Sequence, residues 1–462
     1  MPTEPGAPDD GRPPGEPHAN GRAADTGASG ASARALLLRL RATSDADLRL
    51  ELAERILAPE NGWRGDRELG ELAAEALFAA TVAMTDPVAI ERTAERIDAL
   101  RRAFPDAEPV AWRAAQVLAG ASGCAVPAAE CERLADRIDL LVAAHPRSER
   151  IAHIAALARA NGTGAGCEPG RRAAAAERIE RLLARFPGSH AIALELARVL
   201  FHCALTASAP VHRQVVERLE RLGAAFPASA DIGLRLARAR RAGAPDTLVG
   251  RRALAAHLEL LVAAHPHAAP LAEELAQVLG GVAALEPAAA PARAVVRRLE
   301  GLAAAFPGSE AVARELARAA VHEALGGTEG AYGGAAPLPR LEALQQRWPD
   351  AVAIAVELAK LHYHVAGRGD DLRRRHAAAA RIEELLRRWP GSAALQRLCA
   401  AALLSCIERH AEPDPRRQLV TRLPAAIAPE LRAAAAHAAA LDDQAQRRAA
   451  LLPWLDRDPS RA

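Results

Sequence analysis

The sequence predicts an all-α fold, an alpha-alpha solenoid of about eight to nine helix-pair repeats of roughly 41 residues each. Three observations predict it. A bulky ring followed by proline recurs as Phe104-Pro105, His145-Pro146, Phe186-Pro187, Phe226-Pro227, His265-Pro266, Phe306-Pro307, Trp348-Pro349 and Trp389-Pro390, at intervals of 39 to 42 residues. Aligned on those prolines, every copy has Leu five residues before (Leu100 to Leu385), Ile or Leu eight before (Ile97 to Ile382), and Ala ten after (Ala115 to Ala400). Finally, apolar residues make up 50% of the 462 and aromatics only 3%, so the apolar surface is mostly Ala, Leu, Val and Ile, which suits close-packed helices rather than sheets.

Taken from the N-terminus, residues 1–32 are rich in Pro, Gly, Asp and Ala and nearly free of large apolar side chains, so they predict a disordered tail. Helical periodicity begins at Ala33, with Ser44 expected as the N-cap of a helix carrying Leu48, Leu52 and Ile56. Glu71, Leu72 and Ala73 read as a degenerate first helix ahead of the first full copy. Within a copy, the helix before the proline sets Leu219 and Leu222, for example, on one face, and the ring-Pro pair ends it, because a residue before proline is pushed out of the helical region. Ser148, Ser189, Ser229, Ser309 and Ser392, two residues past their prolines, are placed to N-cap the next helix, and the recurring Ala lets a neighbouring helix approach closely. Segments such as Asn161 to Gly170 and Gly326 to Pro339 read as connecting loops. The repeats fill residues 33–410; residues 411–462, with Pro429 at a first helical position, read as capping helices, since the end of a stack needs a polar outer face.

An acid also stands seven before every proline (Asp98, Asp139, Glu180, Glu220, Glu259, Glu300, Glu342 and Glu383), with Arg two residues earlier in seven copies and His257 in the other. With 57 acids in 462 residues, eight matches by chance have a probability on the order of one in ten million, so composition alone does not produce the column. The expectation is a solvated charge ladder pairing neighbouring helices, each exposed pair adding less than about 1 kcal/mol.

Phe186-Pro187-Gly188-Ser189 followed by Leu196-Ala197, with its counterparts, resembles the tetratricopeptide family, and Ala175, Ile179 and Leu182 match that family's second-helix pattern. The resemblance covers roughly Leu48 to His410 and implies a curved superhelix whose first helices line a groove for a peptide or protein segment. This chain departs from the family in its longer units and in lacking the early first-helix aromatic, Trp112 alone coming near it; a HEAT-like solenoid is the alternative fold.

Charge and motifs narrow the function. Basic and acidic residues nearly cancel, 59 against 57, so no global field favours nucleic acid or an anionic membrane, and no apolar run reaches the roughly twenty residues of a membrane span. Six scattered cysteines behind a non-apolar start predict a reduced, cytoplasmic setting, with Cys399 and Cys406 as core thiols. Neither a phosphate-binding glycine loop, nor a Gly-x-Ser-x-Gly elbow, nor a His-Glu-x-x-His helix is present, and no catalytic, metal or cofactor residue is expected. His202, His322 and His364, each fifteen residues after its proline, form the one histidine column; an alternative reading is a sensor or enzyme domain with this column or the long loops around Gly326 to Pro339 as its site. Eleven residues after the prolines stand Gln116, Arg198, Arg238, Gln277, Arg318 and Lys360, interrupted by Leu157 and Ala401. Such donors suit acidic side chains or the C-terminal carboxylate of a peptide. The leading expectation is therefore a non-enzymatic adaptor without cofactor that binds a protein or peptide; a further possibility is that the N-terminal tail fills the groove itself.

Overall fold

A computed structural model describes residues 35–58, 66–82, 84–124, 127–164, 166–326, 337–367 and 371–455. The tail predicted over 1–32 and most of the loop predicted over Gly326 to Pro339 lie outside these. All regular structure among the described residues is helical. The chain divides into two compact units, Met1–Phe226 and Pro227–Ala462.

In the first unit a short helix α1 (35–42) precedes α2 (Ala46–Ile56), α3 (Arg67–Thr81), α4 (Pro87–Ala103), α5 (Glu108–Gly123), α6 (Ala128–Ala144), α7 (Glu149–Asn161), α8 (Pro169–Arg185), α9 (His190–Ala204) and α10 (Ala209–Ala225). Helices α3, α5, α7 and α9 stack directly in a row, and α4, α6, α8 and α10 each pack beside it. The second unit repeats the plan with α11 (Ala230–Gly243), α13 (Ala269–Leu285), α15 (Glu310–Gly326), α17 (Val352–Gly367) and α19 (Ala393–Arg409) as the row. Its flanking helices are α12 (Leu248–Ala264), α14 (Ala289–Ala305), α16 (Leu338–Arg347) and α18 (Leu372–Arg388). Three short helices, α20 (Pro413–Thr421), α21 (Pro429–Ala440) and α22 (Gln444–Leu455), pack against α19. The expected all-α helical repeat is thus what the chain forms.

The ring-Pro pairs terminate helices in one way. In all eight copies the ring residue is the C-cap, with φ between −117° and −130°, and its N–H donates to the carbonyl of the Leu five residues before the proline. Proline enforces that exit and supplies no donor of its own. All five predicted serine caps form, each hydroxyl accepting the N–H three residues on, for example Ile192 N–H to Ser189 Oγ at 3.4 Å. The α2 cap differs from expectation: Asp45, not Ser44, accepts the Leu48 N–H, at 3.0 Å, because a carboxylate one residue closer to the helix reaches its third N–H directly.

The apolar columns occupy distinct depths. The Ile/Leu column eight before the proline is fully sealed at every copy, from Ile97 to Ile382, whereas the Leu column five before it ranges from buried (Leu100) to half-buried (Leu182, Leu261, Leu344). The Ala column is buried throughout, where consecutive row helices meet; a larger side chain there would force them apart.

The charge ladder forms as expected. Arg137 reaches back to Asp98 (2.9 Å), Arg218 to Glu180 (2.8 Å), Arg298 to Glu259 and Arg340 to Glu300 (2.8 Å), each crossing from one copy to the one before. It extends past the ring-Pro copies at both ends, through Arg96 to Glu54 in α2 and Arg422 to Glu383 just after α20. Buried arginines serve another purpose in the terminal helices: Arg416 donates to the carbonyls of Ala439, His410 and Ala411, and Arg447 to those of Glu408, Leu441 and Asp442, so each guanidinium satisfies two helix C-termini at once.

Candidate functional site

The row helices carry the predicted donor column, and their packing gives it partners that spacing did not reveal. One turn before each donor, at an i, i+3 separation, stands an acid in four copies: Glu195-Leu196-Ala197-Arg198, Glu274-Leu275-Ala276-Gln277, Glu315-Leu316-Ala317-Arg318 and Glu357-Leu358-Ala359-Lys360. The Leu and Ala of each motif are the buried contact with the next row helix, so the acid beside them is drawn under cover too. Glu274 is 3% exposed, Glu315 4% and Glu357 8%.

A buried carboxylate is costly unless paired. Arg198 pairs with Glu195 (2.9 Å) and donates to Asn161 Oδ1 (3.0 Å); Arg318 pairs with Glu315 (2.8 Å) and Lys360 with Glu357 (2.9 Å). Arg238 reaches from α11 to Glu274 on α13 (3.2 Å), where Arg241 joins it at 2.8 Å. The two glutamines act as acceptors: Gln116 Oε1 takes Arg113 Nη1 and Gln277 Oε1 takes Arg241 Nη1, both at 2.8 Å. Four of the six candidates therefore first neutralise acids of their own row. A column of free donors is not what the fold makes of them.

The six also fall in different places. Gln116 and Arg198 belong to the first unit; Arg238, Gln277, Arg318 and Lys360 belong to the second. Around Gln116 the first unit builds a ring-arginine stack: Arg150 lies 3.4 Å above the Trp112 ring and Arg113 4.3 Å from it, with Arg113 also 4.8 Å from Phe78 and paired to Glu75. Burial, reinforced by Arg150 and Arg41, lowers the Arg113 pKa.

In the second unit Gln277 and Arg318 line an open cleft of about 590 Å³ together with Arg241, Arg251 and Arg314. Arg251, from the flanking helix α12, is anchored by Asp246 (2.8 Å through Nε) and lies across Gly281 of α13. A Cβ on Gly281 would overlap Arg251 Nη1 and stand 2.8 Å from its Cζ, and one on Gly280 would overlap Glu315 Oε2 and stand 2.9 Å from Arg318 Nη2. This glycine pair inside a 17-residue helix clears the wall that the side chains occupy. Burial raises the Glu315 carboxyl above its ordinary pKa, against the opposing pull of Arg318 and Arg314, so the cleft floor gives up its proton less readily than a surface acid.

The histidine column is divided between the units, His202 in the first and His322 and His364 in the second. His202 Nδ1 is 3.1 Å from Thr163 Oγ1 in the first unit; His322, in the second, is held below its usual pKa by burial, against the pull of Glu357 and with the help of Arg318 and Lys360. Among the described residues no group of three or more His, Cys, Asp and Glu side chains is placed to hold a metal ion, and all six cysteines are free thiols. Nor, among the same residues, is any helix long and apolar enough to cross a membrane.

Sequence reasoning found Gln277 and Arg318 but missed Arg241, Arg251 and Arg314. The fourfold Glu-Leu-Ala-Arg/Gln/Lys motif was there to be read, and the adjacent Gly280-Gly281 inside a strong helix was a second signal. Comparison with protein-family models and with curated proteins finds no match for the chain.

Proposed function

We propose that this chain is a non-enzymatic adaptor that holds an acidic protein or peptide segment on the row helices of its second unit. The observation that carries the reading is the cleft, where four guanidiniums from α11, α12 and α15 outnumber the two carboxylates beside them, Asp246 and Glu315. Direct hydrogen bonds from guanidinium to carboxylate suit that surface, through acidic side chains or a C-terminal carboxylate. The repeats belong in this reading to the tetratricopeptide kind rather than the HEAT kind, supported by the proline that closes each flanking helix and the Leu-Ala pair at the same place in five row helices, from Leu196-Ala197 to Leu358-Ala359.

The test is selection of random peptides with free C-termini against the full chain, beside an Arg241→Gln, Arg314→Gln variant. Enrichment of acidic sequences by the wild type and its loss in the folded variant is the expected result. A wild type that selects nothing, or selects sequences without acidic bias, removes the reading.

A further inference from the structure

The cleft of the second unit carries more positive charge than a carboxylate needs. Its walls hold Arg241, Arg251, Arg314 and Arg318 against Asp246 and Glu315, a surplus of two positive charges. Arg241 shares Glu274 with Arg238, and adding both of these leaves the surplus unchanged. The guanidiniums come from three different helices, α11, α12 and α15, and the glycine pair of α13 makes room for two of them, Arg251 lying over Gly281 and Arg318 beside Gly280. From this charge balance we infer that the group held in the cleft is a phosphate monoester, carried on a segment of a partner protein as phosphoserine or phosphothreonine. The inference rests on the adaptor reading above and specifies the anion.

Charge and geometry support the assignment. A phosphate monoester carries about −1.5 to −2 charges near pH 7, matching the surplus, whereas a carboxylate neutralises half of it. Its three terminal oxygens can occupy several guanidinium forks at once, and guanidinium pairs with phosphate bidentately. The glycines fit the same purpose: Gly within a helix costs roughly 0.5–1 kcal/mol relative to Ala, and here it leaves space that the Arg251 and Arg318 guanidiniums enter.

The experiment measures retention of three degenerate nonapeptide pools on the immobilised full chain, identical except for phosphoserine, Glu or Ser at the centre. Retention of the phosphoserine pool roughly tenfold above the Glu pool is expected from the added charge and hydrogen bonds. Equal retention of phosphoserine and Glu pools overturns the inference and leaves the adaptor reading standing; retention of none overturns it as well, and the random-peptide selection then decides the adaptor reading separately. Inorganic phosphate run alone separates the sources, because binding as tight as that of the phosphoserine pool means that the cleft takes a free anion and no peptide segment. Gly281→Ala provides the structural control. Its methyl displaces the flexible end of Arg251 without touching backbone, so the thermal midpoint should hold or rise while phosphoserine retention falls several-fold. Arg314→Gln, at a side chain 46% exposed, should lower retention similarly in a folded chain; full retention in both variants overturns the inference.

Discussion

Replacing Ile179 by Ala tests whether the two apolar columns differ in depth as the fold places them. Ile179 is completely sealed between α8 and its neighbours, and the change deletes three carbons. At about 0.8 kcal/mol per buried methylene the transfer loss is about 2.4 kcal/mol, and the cavity left among backbones held apart by other contacts raises the total to about 3–4 kcal/mol. Leu182, one turn on and half-buried, loses the same number of carbons, but its void opens to solvent, and Leu182→Ala should cost about 1–1.5 kcal/mol. Urea unfolding followed by far-UV circular dichroism measures both. Equal costs, or a larger cost at Leu182, would refute the placement of Ile179 at the sealed centre of its helix pair and of Leu182 at the rim.

Three further outcomes follow from the same structure. Ser189→Ala removes an N-cap and should cost about 1 kcal/mol, while Ala268→Ser, at an N-cap position with no side-chain bond, should add about 0.5–1 kcal/mol; urea midpoints moving the same way in both variants would count against the shared cap geometry. Burial holds His322, His362 and His376 below the ordinary imidazole pKa, so the folded chain binds fewer protons than the unfolded one around pH 6. Stability present at pH 7.5 should fall as the pH drops through about 6.5, with Glu315, raised by burial, acting in the opposite sense as its carboxyl takes up a proton; a triple His→Gln variant should show a smaller drop in thermal midpoint, and an unchanged drop would refute the assignment. Burial pushes the Cys399 thiol up to about 12 and Cys406 to about 11, so iodoacetamide at pH 8 should label the part-exposed Cys124 well before either, and all six only in urea; equal rates by mass spectrometry would contradict this burial.

Much of the fold is legible because each repeat solves a local problem. A ring-Pro pair must end a helix, a serine two residues later, where five copies have one, caps the next, and an acid and an Arg recurring at fixed offsets meet their counterparts one copy away. These depend on neighbours along the chain, or on a period that the chain itself states. The candidate site is less legible, since its charge state depends on which helix covers which. Glu383 and Glu315 both adjoin apolar residues on amphipathic helices, yet Glu383 joins the ladder through Arg422 while Glu315 lies under the next row helix and holds Arg318.

What the sequence by itself determined is the helical repeat, its length, its caps and the ladder, because backbone sterics and helical periodicity act within a few residues and then recur. Tertiary structure alone decided that the donor column is largely occupied by buried acids, that Arg241, Arg251 and Arg314 join Gln277 and Arg318 in one cleft, and that the chain separates into two compact units after Phe226. The physical reason is desolvation: whether a charge is free or committed depends on which surfaces exclude water from it, and those surfaces come from other repeats.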